Sequence, residues 1–246
     1  GLGPLKGTLW PYLASLPPRL YRQRRRVPFS AAWVAYCDPA NETAVQEADV
    51  VCLYWIAGGF LKPRSLLGIR APIIWRLSDM WPFTGGCHYS EGCLRYQENC
   101  GRCPILGSRS EWDLSHWLFE RKAANWKGLD LTIAAPSRWM AECVRSSRLF
   151  GGCRTEVIPT GVDLTTFRPV ERTAARAALG LPQDKQLILF GALNATSDTR
   201  KGFQLLTQAL ESLSHGSSSK NYHAVIFGDE DILINNICYM LRRLPI

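Results

Sequence analysis

Asp113-Leu-Ser-His-Trp-Leu-Phe-Glu-Arg-Lys-Ala-Ala-Asn-Trp-Lys-Gly128, followed by Leu131-Thr-Ile-Ala-Ala135 and Ser137, decides the fold. Asp113 is suited to cap a helix running to Lys127, and Gly128 stands just past its end. Leu131–Ala135 reads as a short buried strand, and Ser137 caps a second helix reaching about Arg148. Upstream, Asp49-Val-Val-Cys-Leu-Tyr-Trp55 reads as a strand running towards Gly58-Gly59, and Ala71-Pro-Ile-Ile-Trp-Arg-Leu77 as another; downstream, Glu156-Val-Ile158 is a fourth. Strands alternating with helices imply parallel βαβ units in an open, doubly wound sheet.

The pattern then restarts. Ile158-Pro-Thr-Gly-Val-Asp-Leu-Thr-Thr-Phe-Arg-Pro169 carries the turn residues of a linker. Glu171–Leu179 is helical, with Gly180 and Pro182 to stop it. Gln186-Leu-Ile-Leu-Phe-Gly191 reads as a buried strand. Phe203, Leu206, Leu210 and Leu213 fall on one helical face, and Tyr222–Phe227 forms a further strand before Gly228. Two α/β domains are therefore expected, 1–168 and 169–246.

The 246 residues, 46% of them hydrophobic, can fill one large core or two modest ones. The longest apolar run, Leu187–Leu193, is too short to span a bilayer. Nine cysteines without a visible export signal are read as a cytoplasmic protein. The net charge of +8 is partly concentrated in Arg19, Arg22, Arg24, Arg25 and Arg26. Flanking Trp10, Tyr12, Leu13, Leu16, Leu20 and Tyr21 favour an anionic membrane surface over nucleic acid as its partner; a merely solvated surface is the plain alternative.

The loop 79–110 is the most distinctive segment. Cys87, Cys93, Cys100 and Cys103 fall within seventeen residues rich in Gly, Trp and Tyr and poor in aliphatics. Such a loop is expected to be held by something other than a core. Three arrangements answer to this spacing: a structural zinc site, with His88 able to replace one sulfur; one or two disulfides; or reduced, packed thiols. No Cys-His pairing marks a catalytic thiol.

A second candidate site spans Gly191 to Gly202. A strand ends at Gly191, a polar loop Asn194–Thr199 follows, and Arg200-Lys201 precede a helix. Ligands of open α/β sheets bind beyond the carboxyl ends of strands, and helix N-termini favour anions. Cations are poorly placed at that end of the dipole, so a phosphate or diphosphate would account for them; solvated side chains at a helix start are the alternative.

These segments bear a family likeness. Phe190-Gly191 followed by Arg200-Lys201-Gly202-Phe203 resembles the start of the donor domain in family 4 glycosyltransferases, which have the two-domain GT-B fold. Ile158-Pro-Thr-Gly-Val-Asp163 with Phe167-Arg-Pro169 resembles the family's interdomain segment, usually written with Asn where Thr160 stands. Ala135-Pro-Ser-Arg-Trp139 and Arg145-Ser-Ser147 are similar to the segment before it. Asp79-Met-Trp-Pro-Phe-Thr-Gly-Gly-Cys-His-Tyr89 with its downstream cysteines resembles a subgroup of bacterial exopolysaccharide and colanic-acid-type enzymes.

The resemblance covers roughly residues 49–228 and implies GT-B architecture from two Rossmann-like domains. It implies transfer of a sugar from a nucleotide-sugar donor, with retention, to a polysaccharide or lipid-linked saccharide acceptor at the inner membrane face. Lys201, with Arg200 and the glycines Gly191 and Gly202, would hold the donor diphosphate. Asp79 would stand near the acceptor as the catalytic carboxylate, and Trp81, Thr84, Gly85, Gly86 and His88 would form the acceptor-side loop. No divalent metal is implied for transfer, which leaves any zinc in the Cys loop structural.

The chain also departs from the pattern. Ser78 and Tyr54 stand where members often carry His, which puts a base at either position in doubt. The strand and Gly-rich loop that open full-length members are not found before Trp33, and the later acidic pair that grips nucleotide and sugar is missing after Gly228. Asp231–Ile246 fits the pattern poorly. Both domains are thus expected to be incomplete, and the chain alone to hold donor weakly. A truncated, non-catalytic remnant is the alternative function. A zinc-stabilised basic nucleic-acid module lacks any supporting motif.

Overall fold

A computed structural model describes residues 3–192, 198–214, 221–227 and 240–241. The chain divides into two compact units, Gly1–Gly161 and Val162–Ile246.

In the first unit, helices α1 (Gly3–Ala14), α2 (Leu16–Arg19) and α3 (Thr43–Gln46) precede strands β1 (Val51–Leu53) and β2 (Ile73–Arg76). Helix α4 (Leu114–Trp126), strand β3 (Leu131–Ala135), helix α5 (Arg138–Ser146) and strand β4 (Arg154–Val157) follow. The four strands form one parallel sheet in the order β1-β2-β3-β4. The strands are shorter than the apolar runs that announced them, and the fourth lies slightly earlier than Glu156–Ile158. The expected caps are present: Asp113 accepts from the backbone N–H groups of Ser115 and His116, and Ser137 from that of Met140.

Trp75 of β2 organises the core. It is fully buried, with ring centroids 5.1 Å from Trp126 and 5.8 Å from Phe150. Both indole N–H groups are satisfied: Trp75 donates to Tyr54 O at 3.1 Å and Trp126 to Pro63 O at 2.9 Å.

The Cys loop departs from expectation. Far from lying outside a core, it inserts its aromatics into the main one: Trp81, Phe83 and Tyr96 are buried there with Trp75 and Phe150. Phe83 meets Tyr96 edge-on at 5.4 Å and Phe150 at 6.5 Å. Aromatic side chains buried in this way contribute about 1.5–3 kcal/mol each. A loop poor in aliphatics is thus anchored by rings instead.

The second unit comprises α6 (Arg172–Leu179), β5 (Gln186–Gly191), α7 (Phe203–Ser214), β6 (Tyr222–Phe227) and β7 (Met240–Leu241), its strands parallel in the order β5-β6-β7. Glu171 caps α6, and Gly180 ends it in the left-handed conformation, φ 64°. Strand β5 is less covered than its composition suggested, with Leu189 68% exposed, because it lies at the edge of the described sheet while β6 is central. On α7, Leu210 is buried but Leu213 is exposed. Within 231–246, Met240–Leu241 pairs with Val225–Ile226; the remainder of that expectation lies outside the described residues.

Candidate functional site

Strand β2 leads through Leu77 into Ser78 and Asp79, so Asp79 stands beyond the carboxyl end of a parallel strand, where α/β folds bind ligands. Its carboxylate is buried and fully engaged. Oδ1 accepts the backbone N–H of Trp81 at 2.9 Å, and Oδ2 lies 2.6 Å from His88 Nδ1. The other ring nitrogen, Nε2, is 2.8 Å from Ser30 Oγ. With Nδ1–H donating to the carboxylate, a neutral imidazole leaves Nε2 to accept the serine hydroxyl. The result is a continuous Asp79–His88–Ser30 chain.

Backbone contacts hold it in place. His88 N–H donates to Pro28 O, Ser30 N–H to Gly86 O, and Trp81 Nε1 to Ser30 O. Phe29 and Cys87 form an isolated antiparallel bridge. Gly86, at φ +130°, lies against the Phe29 ring, where a Cβ would come within 2.6 Å. Thr84 donates to Cys87 O, and Gly85 is closed in by Ser115 O. The His88 ring lies between Trp81 and Trp55, at 6.4 and 6.0 Å. Trp55 and its neighbour Tyr54 follow β1 and are 52% and 61% exposed, which gives this end of the sheet an aromatic surface.

Asp79 and His88 stand out separately in the sequence, and the structure joins them. Asp79 is a buried orienting group for His88. Ser30 and Trp55 escape a sequence reading, because Pro28-Phe29-Ser30 carries no motif. Lys122 escapes it too, although a signal exists: Phe119, Lys122 and Trp126 share one helical face at i, i+3 and i+7. Lys122 is fully buried beneath the loop. Its ammonium donates to the carbonyls of Trp81 and Thr84 and sits 3.8 Å from the Trp81 ring centroid. Burial pulls it down to about 7, against the opposing pull of Cys100, Cys87 and Asp79.

The four loop cysteines line one small cavity together with Phe29 and Ile105. Among the described residues every cysteine is a free thiol, and no three His, Cys, Asp or Glu side chains stand as they are in an arrangement that could hold a metal ion. Burial pushes Cys87 up to about 12, tempered by the Thr84 hydroxyl, and also raises Cys100 and Cys103.

In the second unit, Gly191 ends β5 against Phe227, where a Cβ would meet the ring at 2.1 Å. Asp198 caps the 3-10 turn Thr199–Lys201, accepting Arg200 N–H at 3.1 Å. It also pairs with the Arg200 guanidinium, Nε to Oδ1 at 2.8 Å and Nη2 to Oδ2 at 2.5 Å. These bonds hold its carboxyl below the usual range. Arg200 thus carries an ion pair with Asp198 within the turn. Lys201 is exposed at the end of the turn, and Gly202, at φ +77°, turns the chain into α7. Residues 193–197 of the polar loop lie outside the described residues.

No protein-family model matches the chain. It is similar to proteins named as glycosyltransferases. A protein named for glycosyl transfer in colanic acid biosynthesis, WcaC of Escherichia coli (strain K12), is 29% identical over 99 residues, 38% of this chain and 24% of that protein. The D-inositol 3-phosphate glycosyltransferase of Xylanimonas cellulosilytica is 46% identical over 74 residues, 27% of this chain and 17% of that enzyme. That of Mycolicibacterium paratuberculosis is 60% identical over 37 residues, 15% of this chain and 8% of the relative. The chain thus spans a quarter or less of the curated relatives it matches.

Proposed function

We propose that the chain carries part of a retaining glycosyltransferase of GT-B type that moves a sugar from a nucleotide-sugar donor to a saccharide or lipid-linked saccharide acceptor. The observation that carries this reading is the similarity to glycosyltransferases of two different names, WcaC and the D-inositol 3-phosphate enzymes. Parallel α/β sheets in both units are consistent with it. The name of WcaC favours an exopolysaccharide acceptor.

In this reading the turn at Thr199–Lys201 and the start of α7 take the donor diphosphate. Lys201 supplies the positive charge that stabilises the departing nucleotide, with Gly191 and Gly202 shaping the backbone. Arg200 acts as the partner of Asp198. The loop after β2 serves the acceptor: Trp55 and Tyr54 offer aromatic faces to a sugar ring, and the buried Asp79–His88 pair fixes the Ser30 hydroxyl. No protein base is required by a retaining transfer, and Asp79 is accordingly a positioning residue. The exposed arginines from Arg19 to Arg26 bring the chain to an anionic membrane surface.

Incubation of the chain with uridine- and guanosine-diphosphate sugars and saccharide acceptors, with product anomers read by NMR, tests the reading. Weak donor binding and little or no transfer are expected of this chain; any product should retain the donor's anomeric configuration, and in a full-length homologue Lys201→Ala should cut transfer at least roughly tenfold with an unchanged circular dichroism spectrum. Inverted product would refute retention. Equal donor binding by the Lys201→Ala protein, measured calorimetrically, would remove Lys201 from the donor site.

A further inference from the structure

We infer that Ser30, His88 and Asp79 form a nucleophilic triad, in which the Ser30 hydroxyl takes the acyl group of carboxylic esters. The connectivity is the one this chemistry needs. Ser30 Oγ lies 2.8 Å from His88 Nε2, and His88 Nδ1 lies 2.6 Å from Asp79 Oδ2. A base must stand within hydrogen-bond reach of the proton it removes, and a third group must orient the base. Both conditions are met through opposite nitrogens of one ring. The carboxylate thereby selects the tautomer whose unprotonated Nε2 faces the hydroxyl. Such triads are recognised by geometry and roles, not by their order in the chain.

Burial is graded to match the roles. Asp79 and His88 are buried, at 7% and 4% exposure, whereas Ser30 is half-buried. The orienting group and the base are shielded from water, and the serine is the member most open to solvent. Trp81 steadies both ends of the serine–imidazole bond: its ring stacks on His88, and its Nε1–H donates to Ser30 O at 2.9 Å. On the other side of the imidazole, exposed Trp55 offers an aromatic face to the alcohol portion of an ester.

The backbone after the serine supports the same role. Ala32 adopts φ 48°, in the left-handed region that a residue with a Cβ rarely enters. Strain of this kind collects at active sites, where it sets the direction of a reacting group. Among the described residues, the N–H groups of Ala31 and Ala32 donate to no protein acceptor. Both are left to stabilise an oxyanion formed next to Ser30.

In the reaction, Ser30 Oγ bonds to the carbonyl carbon while its proton passes to His88 Nε2. The bond from that carbon to the alcohol oxygen then breaks. The departing oxygen takes the proton from Nε2, which leaves an acyl-serine and a free alcohol. Water adds to the acyl group by the same route, giving a proton to Nε2. That proton returns to Ser30 Oγ as the carboxylic acid departs. Asp79 stays ionised throughout and stabilises the imidazolium. The inference does not depend on the transferase reading, because no donor sugar enters these steps.

The full chain would be incubated with a fluorophosphonate and, separately, with 4-nitrophenyl acetate. A covalent adduct on Ser30, located by peptide mass spectrometry, is expected, together with ester hydrolysis that is lost in Ser30→Ala. Asp79→Asn supplies the sharper test. Its amide can donate to His88 Nδ1, so Nε2 carries the proton and cannot accept one from Ser30. Adduct formation should then slow at least about a hundredfold with an unchanged circular dichroism spectrum. Folded wild-type chain that forms no adduct on Ser30 overturns the proposal, whatever the variants do. An adduct rate in folded Asp79→Asn equal to that of wild type overturns it too, since the carboxylate would then only brace the loop. So does ester hydrolysis that survives unchanged in Ser30→Ala.

Discussion

Asp79 Oδ2 lies 2.6 Å from His88 Nδ1, and the same carboxylate accepts the Trp81 backbone N–H through Oδ1. One buried group thereby satisfies two donors nine and two residues along the chain, closing the loop back on itself before the first cysteine-rich turn. With one of these bonds on each oxygen, Asp79 holds His88 in one orientation.

Asp79→Asn tests that arrangement. An asparagine can give its oxygen to the Trp81 N–H and its NH2 group to His88 Nδ1, so the imidazole must take the other tautomer and donate from Nε2 to Ser30. A charge-assisted bond is thereby exchanged for a neutral one, which costs about 1 kcal/mol. The melting temperature should fall accordingly. His88→Ala should cost a similar amount, and the double variant less than the sum of the two, since they share one bond. Full additivity would show that the pair is not energetically coupled.

Gly85 and Gly152 separate two uses of glycine. A Cβ at Gly85 would stand 2.3 Å from Ser115 O and 2.8 Å from Cys100 Cβ, whereas at Gly152 nothing lies within 4 Å. Ser115 is in the first turn of α4, so its carbonyl cannot step aside without moving the helix. Gly85→Ala should therefore destabilise by about 1–3 kcal/mol, and Gly152→Ala by less than about 0.5 kcal/mol. Denaturant unfolding of the two variants decides this; equal midpoints would mean that loop and helix separate readily.

Much of this fold is legible in the sequence because its signals are local. Asp113, Ser137, Gly128 and Gly180 mark helix ends through their own backbone and side-chain chemistry, and each stands where its type requires. Leu187–Phe190 and Val225–Phe227 are legible as strands for the same reason. The support of the Cys loop is not, because it comes from Trp75, Trp126 and Phe150, each outside the loop in sequence. Ser30 is invisible on similar grounds: its partner His88 lies 58 positions away and Ser30 sits in no motif. The Asp198–Arg200 pair is not legible, because Asp198 looks like one more residue of a polar loop. Lys122 is readable in principle from its place on the apolar face of α4.

The arginine segment offers a test at the surface. Arg19, Arg22, Arg24, Arg25 and Arg26 are all exposed beside Leu20, which is 83% exposed, and Tyr12, 53% exposed. Arg25 pairs with Glu91 at 3.0 Å, so it contributes less than the others. Binding to vesicles containing phosphatidylglycerol should weaken as salt rises, because exposed charges are screened within roughly 10 Å at 0.1 M salt. Replacing the arginines by glutamine should remove most of the binding, with Arg25→Gln alone having the smallest effect. Cosedimentation unchanged in the fivefold variant would show a solvated surface.

Glu171 gives the second unit a pH-dependent cap. Its carboxylate accepts the Thr173 N–H at 2.9 Å, the Ala174 N–H at 2.8 Å and the Thr173 hydroxyl. Those bonds, the Thr173 hydroxyl first among them, pull its carboxyl down to about 2 from an ordinary 4.5. The folded value lies below the unfolded one, so the unfolded chain binds the extra proton between them. The cap's contribution is therefore fully present above about 4.5 and lost as pH falls towards 2. Amide exchange at Thr173 and Ala174 should report it, with protection steady from about pH 7 to 5 after correction for the intrinsic exchange rate and declining below. In Glu171→Gln the same two amides should start less protected, because a neutral amide oxygen is a weaker cap than a carboxylate, and the acid-dependent decline should vanish. Persistence of that decline in the glutamine variant would assign it to another carboxyl, of which Asp163, held down at about 2 by Thr165 and Thr166, is the first to examine.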